Sequence, residues 1–510
     1  MPLQDYLINA AREFPEKEAL IAAEVRTTYR ELLNGANTIS CWLKDQKLQP
    51  EDRVAILSDN PAEYVMAYFG ILLAGGVAVP LNTQTTSGTL QYLFNHCGIS
   101  FLFTQTQYLK YLNQLCDALP TLKSIAASGW KGDGGTSLPC KCANLSALLS
   151  ASARASLIHA STGATDGDLA QIIYTSGTTG QPKGVMLRHS NLIANTNSII
   201  QYLRLNHDER HMVVLPFFYS FGNSILLSHF AAQASMVVHQ NLVYPNVVLD
   251  MMVKEKATGI SGVPSTYAIL LNRSALRHYT LPHLRYCTQA GGAMSPKLAQ
   301  MLKSILPNTD IYIMYGQTEA CARLSYLEPG DLIRKAGSIG KAIPGVTLRV
   351  LNPTGNPVNV GEVGEIVAQG ANIMAGYWQD PEATNMVLKK EGLWTGDLAR
   401  IDEDGYIYIV GRKSDMIKSG AHRIAPKEIE DIILEHDAVH EVAVLGVNDE
   451  ILGEAIRACI VLKDGRACTK KEIQAHCHKK LPAYKMPHQI TFREQLPKTS
   501  SGKIKKNELK

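Results

Sequence analysis

Short apolar runs alternate with stretches of helical spacing through the first hundred residues. Arg53-Val54-Ala55-Ile56-Leu57 and Val77-Ala78-Val79-Pro80-Leu81 predict buried strands. Between them residues 62–73 predict a helix running into Gly75-Gly76. Thr28-Tyr29-Arg30-Glu31 opens an amphipathic helix, with Thr28 and Glu31 spaced as a capping box. Strand–helix–strand alternation of this kind implies a parallel sheet with helices on its faces. The pattern continues with a strand at 169–173, a helix at 189–202, and strands at 284–288 and 311–314.

Two regions break the alternation. Ser128–Gly135 and Ser150–Gly167, rich in Ser, Ala, Gly and Thr, read as surface connections and not as a separate domain. Beyond Asp402-Glu403-Asp404-Gly405, a turn leads into an alternating strand at 406–409. Residues 419–426 read as a loop, 427–434 and 469–481 as helices, and 442–445 and 455–461 as strands. That last segment is a compact α+β unit. The fold class expected is therefore α/β, with a large N-terminal domain and a small α+β C-terminal domain.

Composition narrows the function. A chain of 510 residues with 45% hydrophobic and 19% charged content is a globular protein with ample core. Its net charge of +4 and lack of a basic block argue against dedicated nucleic-acid binding. Residues 65–81 form the longest apolar stretch, but Gly75-Gly76 and Pro80 interrupt it, so a buried helix and strand are expected rather than an integral membrane span. The N-terminus has no basic-then-apolar signal pattern. Ten scattered cysteines include Cys140-Lys-Cys142 and His476-Cys477-His478, neither with a second pair at finger spacing. Free thiols in a reducing cytoplasm are the expectation.

The chemistry is carried by Tyr174-Thr175-Ser176-Gly177-Thr178-Thr179-Gly180-Gln181-Pro182-Lys183-Gly184, a glycine- and hydroxyl-rich loop after a strand. Glycines let backbone N–H groups approach an anion, hydroxyls add donors, and Lys183 adds a mobile charge. Such a loop suits a polyphosphate, although the Gly–Lys spacing is not that of a Walker A loop. Further along come Phe217-Phe218-Tyr219-Ser220-Phe221-Gly222, Gly291-Gly292-Ala293, Tyr315-Gly316-Gln317-Thr318-Glu319, Trp394-Thr395-Gly396-Asp397, Gly411-Arg412-Lys413-Ser414, and Pro497-Lys498-Thr499-Ser500-Ser501-Gly502-Lys503.

Seven motifs in this order resemble those of the acyl-adenylate-forming superfamily, which includes acyl-CoA synthetases, adenylation domains of peptide synthetases and firefly-type luciferases. The pattern is most similar to acyl-CoA synthetases. The resemblance implies an N-terminal domain over 1–411, a hinge at 412–414 and a mobile lid over 415–510. Serine at 414 departs from the aspartate or lysine of most members, which leaves the hinge's detail open. The resemblance also implies ATP, Mg²⁺ and coenzyme A as cofactor and co-substrates. Thr175, Ser176, Gly177, Thr178, Thr179, Gly180 and Lys183 would hold phosphates, and Gly291, Gly292, Ala293, Tyr315, Gly316 and Gln317 would line the nucleotide. Thr318 would touch the α-phosphate, Glu319 would hold the metal, and Asp397 and Arg412 would meet the ribose or phosphate. Lys503 would serve adenylation, and Lys418 and Gly420 the thiol step.

Phe218, Tyr219, Ser220 and Gly222 fall where the family builds its acyl pocket. Adenylation domains for α-amino acids typically place an aspartate here to meet the ammonium. This chain has Tyr219 and no carboxylate from 213 to 230, and an unpaired ammonium in an apolar pocket is costly. A small-molecule carboxylic acid, fatty or aryl and not α-amino, is therefore the expected substrate. A ligase that loads the phosphopantetheine of an acyl or peptidyl carrier protein shares every motif. A non-catalytic binding homologue and a luciferase-type oxygenase are the other readings. Oligomeric state is not legible.

Overall fold

The computed structural model describes residues 2–113, 115, 118–131, 140–152, 164–175, 181–419, 422–450, 452–498 and 504–509. Four sheets organise the described residues. The largest has nine strands in the order Lys341–Ala342, Ser325–Leu327, Asp310–Tyr315, Tyr286–Gln289, Gly259–Gly262, Arg210–Val213, Ser235–Val238, Glu18–Ala22, Val25–Thr28. Its six interior strands, from Asp310–Tyr315 to Glu18–Ala22, pair in parallel. Their C-terminal ends therefore lie along one edge, where the following loops gather.

The second sheet has eight strands, in the order Gly376–Tyr377, Lys183–Arg188, Leu169–Thr175, Val77–Pro80, Arg53–Leu57, Ile99–Gln105, Ser124–Ser128, Lys141–Asn144. The apolar run at 65–81 becomes the buried helix Pro61–Ala74, ended by Gly75 at φ 82°, and the strand Val77–Pro80. No helix among the described residues is long and apolar enough to cross a membrane. The capping box forms as expected. Thr28 Oγ1 accepts from the Glu31 amide at 3.2 Å, and the Glu31 carboxylate accepts from the Thr28 amide at 2.8 Å. Hydrophobic side chains from both sheets and from the helices Gln4–Glu13, Tyr29–Asp45, Pro61–Ala74 and Ser220–Ala231 merge into one continuous core.

One expectation needs correction, and one stretch to which no element was assigned proves ordered. Much of the two segments read as surface connections, 132–139 and 153–163, lies outside the described residues. Beside them Ser124–Ser128 and Lys141–Asn144 extend the second sheet, and Ile125, Ala126 and Ala127 are fully buried. Small residues hid this strand, because alanine and serine carry little β signal. Residues 422–424 are not loop. His422–Ile424 pairs antiparallel with Ile417–Ser419, in a register that sets Ile417 against Ile424. Both isoleucines are buried in the C-terminal core, and tertiary burial outweighs the local Ser-Gly-Ala and Pro signals.

The third sheet is antiparallel and built around Gly392–Ile401, which pairs with Gly364–Gly370 on one side and Ile407–Arg412 on the other. Beyond it lies the small C-terminal domain. The strands Val439–Asp449 and Gly453–Leu462 form its long hairpin, and Gln489–Phe492 adds a parallel edge. The helices Pro426–Leu434 and Lys470–His478 pack on it through Ile429, Ile433, Ile473 and Cys477, a core separate from that of the large domain.

Candidate active site

Three parallel strands of the nine-stranded sheet deliver the central segments. After Arg210–Val213 comes the aromatic stretch that caps the helix Ser220–Ala231. After Tyr286–Gln289 comes Gly291-Gly292-Ala293, and after Asp310–Tyr315 comes Gly316 to Glu319. The glycines are there for steric reasons. A Cβ on Gly222 would lie 1.9 Å from the Pro216 carbonyl oxygen, and one on Gly316 would lie 2.1 Å from that of Ala322. Gly291 takes φ 81°, which favours glycine, and Gln289 Nε2 donates to the Gly292 carbonyl at 2.7 Å.

Side chains from separate segments then meet. Thr318 and Ser220 share a hydroxyl contact of 3.1 Å, tying the segment after Asp310–Tyr315 to the helix at 220. Tyr219, at the cap of that helix, receives a hydrogen bond from Asn82 Nδ2 at 3.3 Å and packs on Phe218 with ring centres 4.5 Å apart. The Glu319 carboxylate accepts the Tyr377 hydroxyl at 2.8 Å, and its carbonyl accepts the Met374 amide at 2.9 Å. Tyr377 lies on a strand that pairs with Lys183–Arg188, so this contact joins the two large sheets at the site.

Asp397 is the most enclosed charge of the group, at 5% exposure. Tyr315 donates to its Oδ2 at 2.8 Å and Arg412 Nε to its Oδ1 at 2.9 Å. Asp397 and Arg412 are direct partners across adjacent strands, so the register itself forms the pair. The Asp397 charge raises the Arg412 pKa. Burial first, then the neighbouring carboxylate, pushes Tyr315 well up, and burial followed by Glu319 does the same to Tyr377. Both phenols thus remain donors.

Lys183 opens its strand directly opposite Thr175, which closes Leu169–Thr175, so the two residues face each other at the end of an antiparallel pair. The Lys183 ammonium is 3.8 Å from Asp380 Oδ2 and 5.1 Å from the centre of the Tyr377 ring. A half-exposed pair this loose is cheap to exchange for another anion. Ser176, Gly177, Thr178, Thr179, Gly180, Gly420 and Lys503 lie outside the described residues.

Lys418 stands apart. It is exposed on Ile417–Ser419, and its backbone amide donates to Glu454 Oε2 at 2.6 Å. It borders a cavity of about 380 Å³ that Glu365, Trp394, Leu398, Lys413 and Met416 also line. Glu365 accepts from the Gly396 amide at 3.0 Å and from Lys413 Nζ at 3.2 Å, linking the strand that carries Asp397 to the turn Lys413–Asp415.

Sequence reasoning missed Tyr377, Asp380, Asn82, Glu365 and Arg323. Gly376-Tyr377-Trp378 ahead of Asp380-Pro381 offered a local signal for the first two. Asn82 and Glu365 come from distant segments and have none, and Arg323, four residues beyond Glu319, is marked out only by its burial in the fold.

Comparison with known proteins identifies the family. The AMP-binding enzyme family matches residues 7–378, and the AMP-binding enzyme C-terminal domain matches 428–503. A long-chain-fatty-acid–CoA ligase of Bacillus subtilis (strain 168) is 31% identical, across 99% of this chain and 94% of that protein. A feruloyl-CoA synthase of an Amycolatopsis species is 32% identical, across 100% and 98%. The solved structure of O-succinylbenzoate coenzyme A synthetase (MenE) from Bacillus subtilis, in complex with ATP and magnesium ion, superposes with a TM-score of 0.85 at 27% identity, covering 100% of this chain and 99% of that one. The chain belongs to the AMP-binding enzyme family, as an AMP-forming acid–thiol ligase of the acyl-CoA synthetase type.

Proposed function

We propose that the protein activates a carboxylic acid, fatty or aryl and not α-amino, as its acyl-adenylate and passes the acyl group to the thiol of coenzyme A. The observation that carries this is the convergence of Asp397, Thr318 and Glu319 around the C-terminal end of Asp310–Tyr315, each already held by a partner. A carboxylate is a poor electrophile, because it is anionic and has no leaving group. In the first step it attacks the α-phosphorus of ATP; the bond to the bridging oxygen breaks and pyrophosphate leaves. In the second, the thiol sulfur attacks the acyl carbonyl and AMP leaves.

The roles follow from chemistry. Each Asp397 oxygen has one donor in place and a second lone pair for a ribose hydroxyl. Gly291, Gly292, Ala293, Gly316 and Gln317 present backbone close to the nucleotide, and Tyr315 closes its ring side. Thr318, held by Ser220, points a hydroxyl at the α-phosphate. Lys183, Thr175 and the loop 176–180 take the other phosphates, with Lys183 leaving Asp380. Glu319 fits a hard divalent cation: its Oε1 is occupied by Tyr377, and its Oε2 has no donor among the described residues. Mg²⁺ bound there would neutralise phosphate charge. Lys503 would add a cation to the crowded transition state.

We place the domain boundary at a hinge of 412–414, with domains over 1–411 and 415–510. A short turn, Lys413–Asp415, and a separate C-terminal core support this. Rotation there would withdraw Lys503 and bring Lys418 and Gly420 forward for the thiol step. A pyrophosphate-release screen over a panel of carboxylic acids, with coenzyme A and with phosphopantetheinyl carrier protein as acceptors, tests the reading. The expected result is turnover with acids lacking an α-amino group and with coenzyme A. Rapid ATP–pyrophosphate exchange with a common amino acid, or turnover with the carrier protein alone, would overturn the corresponding part.

A further inference from the structure

Arg323 lies four residues beyond Glu319 and is only 3% exposed. Its guanidinium sits 4.1 Å over the ring of Phe221, the neighbour of Ser220 on the helix that carries the acid-pocket segment. The backbone holds it there. The side-chain amides of Asn195 and Asn372 both donate to the Arg323 carbonyl, at 3.2 and 2.9 Å, and a Cβ on Gly316 would lie 2.8 Å from the Arg323 Cα. The segment that carries Thr318 and Glu319 thus returns beneath itself and delivers a guanidinium to the ring of Phe221, beside the segment to which the acid pocket is assigned.

That guanidinium lacks a counter-charge. Among the described residues no carboxylate pairs with it; Nη1 donates to the Ala322 carbonyl at 3.2 Å, and the Tyr202 hydroxyl is its other polar neighbour. Among the described residues its Nε likewise has no hydrogen-bond partner. Nor do the nearby histidines supply an anion. His229 Nδ1 donates to the Ile225 carbonyl at 2.8 Å, so its Nε2 accepts the Tyr286 hydroxyl at 3.0 Å. The Tyr286 oxygen then receives His211 Nδ1–H at 2.9 Å, and His211 Nε2 is left with no partner. Burial, reinforced by each other's charge and by Arg323, holds His211 neutral.

A guanidinium does not deprotonate in a protein, so the free enzyme buries a positive charge that only a ring face and neutral groups attend. Such an arrangement is costly unless something else completes it, and it lies against the helix that begins in the proposed acid-pocket segment. We infer that Arg323 is the specificity-determining residue of the acid pocket, and that the acid activated here carries a second carboxylate at the end remote from the one adenylated. This rests on the ligase reading above and narrows it. The guanidinium can meet that carboxylate in a bidentate fork, with Nε–H as one tine. It also repels the ammonium of an α-amino acid, in line with the absence of a carboxylate from 213 to 230.

The test compares free dicarboxylic acids with their monomethyl esters and with chain-matched monocarboxylic acids, three to ten carbons long and aryl, in pyrophosphate release by the full-length protein. Wild type is expected to favour the diacid by roughly 10²-fold or more in kcat/KM, the scale on which a site built for a polar group rejects an analogue lacking it. Arg323→Met should erase that preference and improve use of the esters, whereas Arg323→Lys should retain part of it. ATP affinity, measured by calorimetry without acid, should stay within about twofold in both variants. Equal use of monoacids and diacids by wild type would overturn the inference and leave the ligase reading intact. Loss of ATP affinity in Arg323→Met in step with loss of acid use would also overturn it, by assigning the anion to the nucleotide's phosphate. No release with any acid would overturn both readings. Should Arg323→Met fail to fold, the wild-type comparison decides alone.

Discussion

The edge of the large domain proposed to face the nucleotide and the leading edge of the small domain are built to different standards of rigidity. In the first, Asp397, Glu319 and Thr318 are each tied to a side chain from another segment: Tyr315 and Arg412, Tyr377, and Ser220. In the second, Lys418 stands exposed on a three-residue strand, and the bond that fixes its position is made by its backbone to Glu454. The side chain itself is left free to choose a partner. Groups that must match a charge present throughout the reaction gain from being held in advance, since their orientation then costs nothing at the moment of reaction. A group needed in only one half-reaction gains from sitting on a body that can move away. Among the described residues one ion pair joins the two domains, Lys297 to Asp437 at 3.1 Å; it is exposed on both sides and opposes such a movement weakly.

The sharpest test of this contrast is metal removal, which acts on the fixed edge alone. Chelating Mg²⁺ should abolish pyrophosphate release while thioester formation from synthetic acyl-AMP continues. Activity that survives EDTA unchanged in the first step would remove Glu319 from its proposed role.

Next in size are the two lysines. Lys503→Ala should slow adenylation by about 10²–10³, the usual effect of losing one preorganised donor to developing charge, yet use supplied acyl-AMP at close to the normal rate. Lys418→Ala should show the reverse asymmetry. Both lysines lie near anionic ligands in the proposed complexes, so simple electrostatics would slow both steps in both variants. Equal impairment would leave the ligase standing and discard the moving domain.

A smaller effect is expected from Tyr377→Phe, which leaves the Glu319 carboxylate without its fixing donor. A neutral-to-charged hydrogen bond of this kind contributes about 1.5 kcal/mol, or roughly tenfold in the Mg²⁺ concentration for half-maximal rate. Asn82→Ala, acting on Tyr219, should leave that metal dependence alone and change only the KM for the acid.

The smallest effect concerns acid stability of the large domain. Burial lowers the pKa of both His189 and His229 from 6.5 to about 4. With the folded value depressed, the unfolded chain binds more protons between the two, so stability falls as pH drops from 6.5 towards 4. The neutral His189 ring accepts the Leu3 amide at 3.2 Å, and glutamine can replace it as acceptor without titrating. His189→Gln should therefore lose less Tm than wild type between pH 7 and pH 5 in calorimetry. Identical slopes would show that this histidine does not carry the acid sensitivity.

Much of this protein was determined by the sequence alone, because its signals are local. Strand–helix alternation follows from the spacing of apolar residues, and the Thr28–Glu31 cap and the Gly75 stop follow from backbone chemistry within a few positions. Gly316 and Thr318 to Glu319 are adjacent in the chain, and so were legible as one motif. The strand at 124–128 was hidden, since alanine and serine become core only when a sheet closes over them. Tyr377 and Asn82 acquire partners 58 and 137 positions away, through sheet pairing that no local pattern encodes. Arg323 is the plainest case. In the sequence it is one arginine among many, and only the folding of its segment beneath Gly316 and over Phe221 takes it out of water and leaves it without a counter-charge. Burial and pairing are properties of the closed chain, and they turn an ordinary side chain into a determinant of specificity.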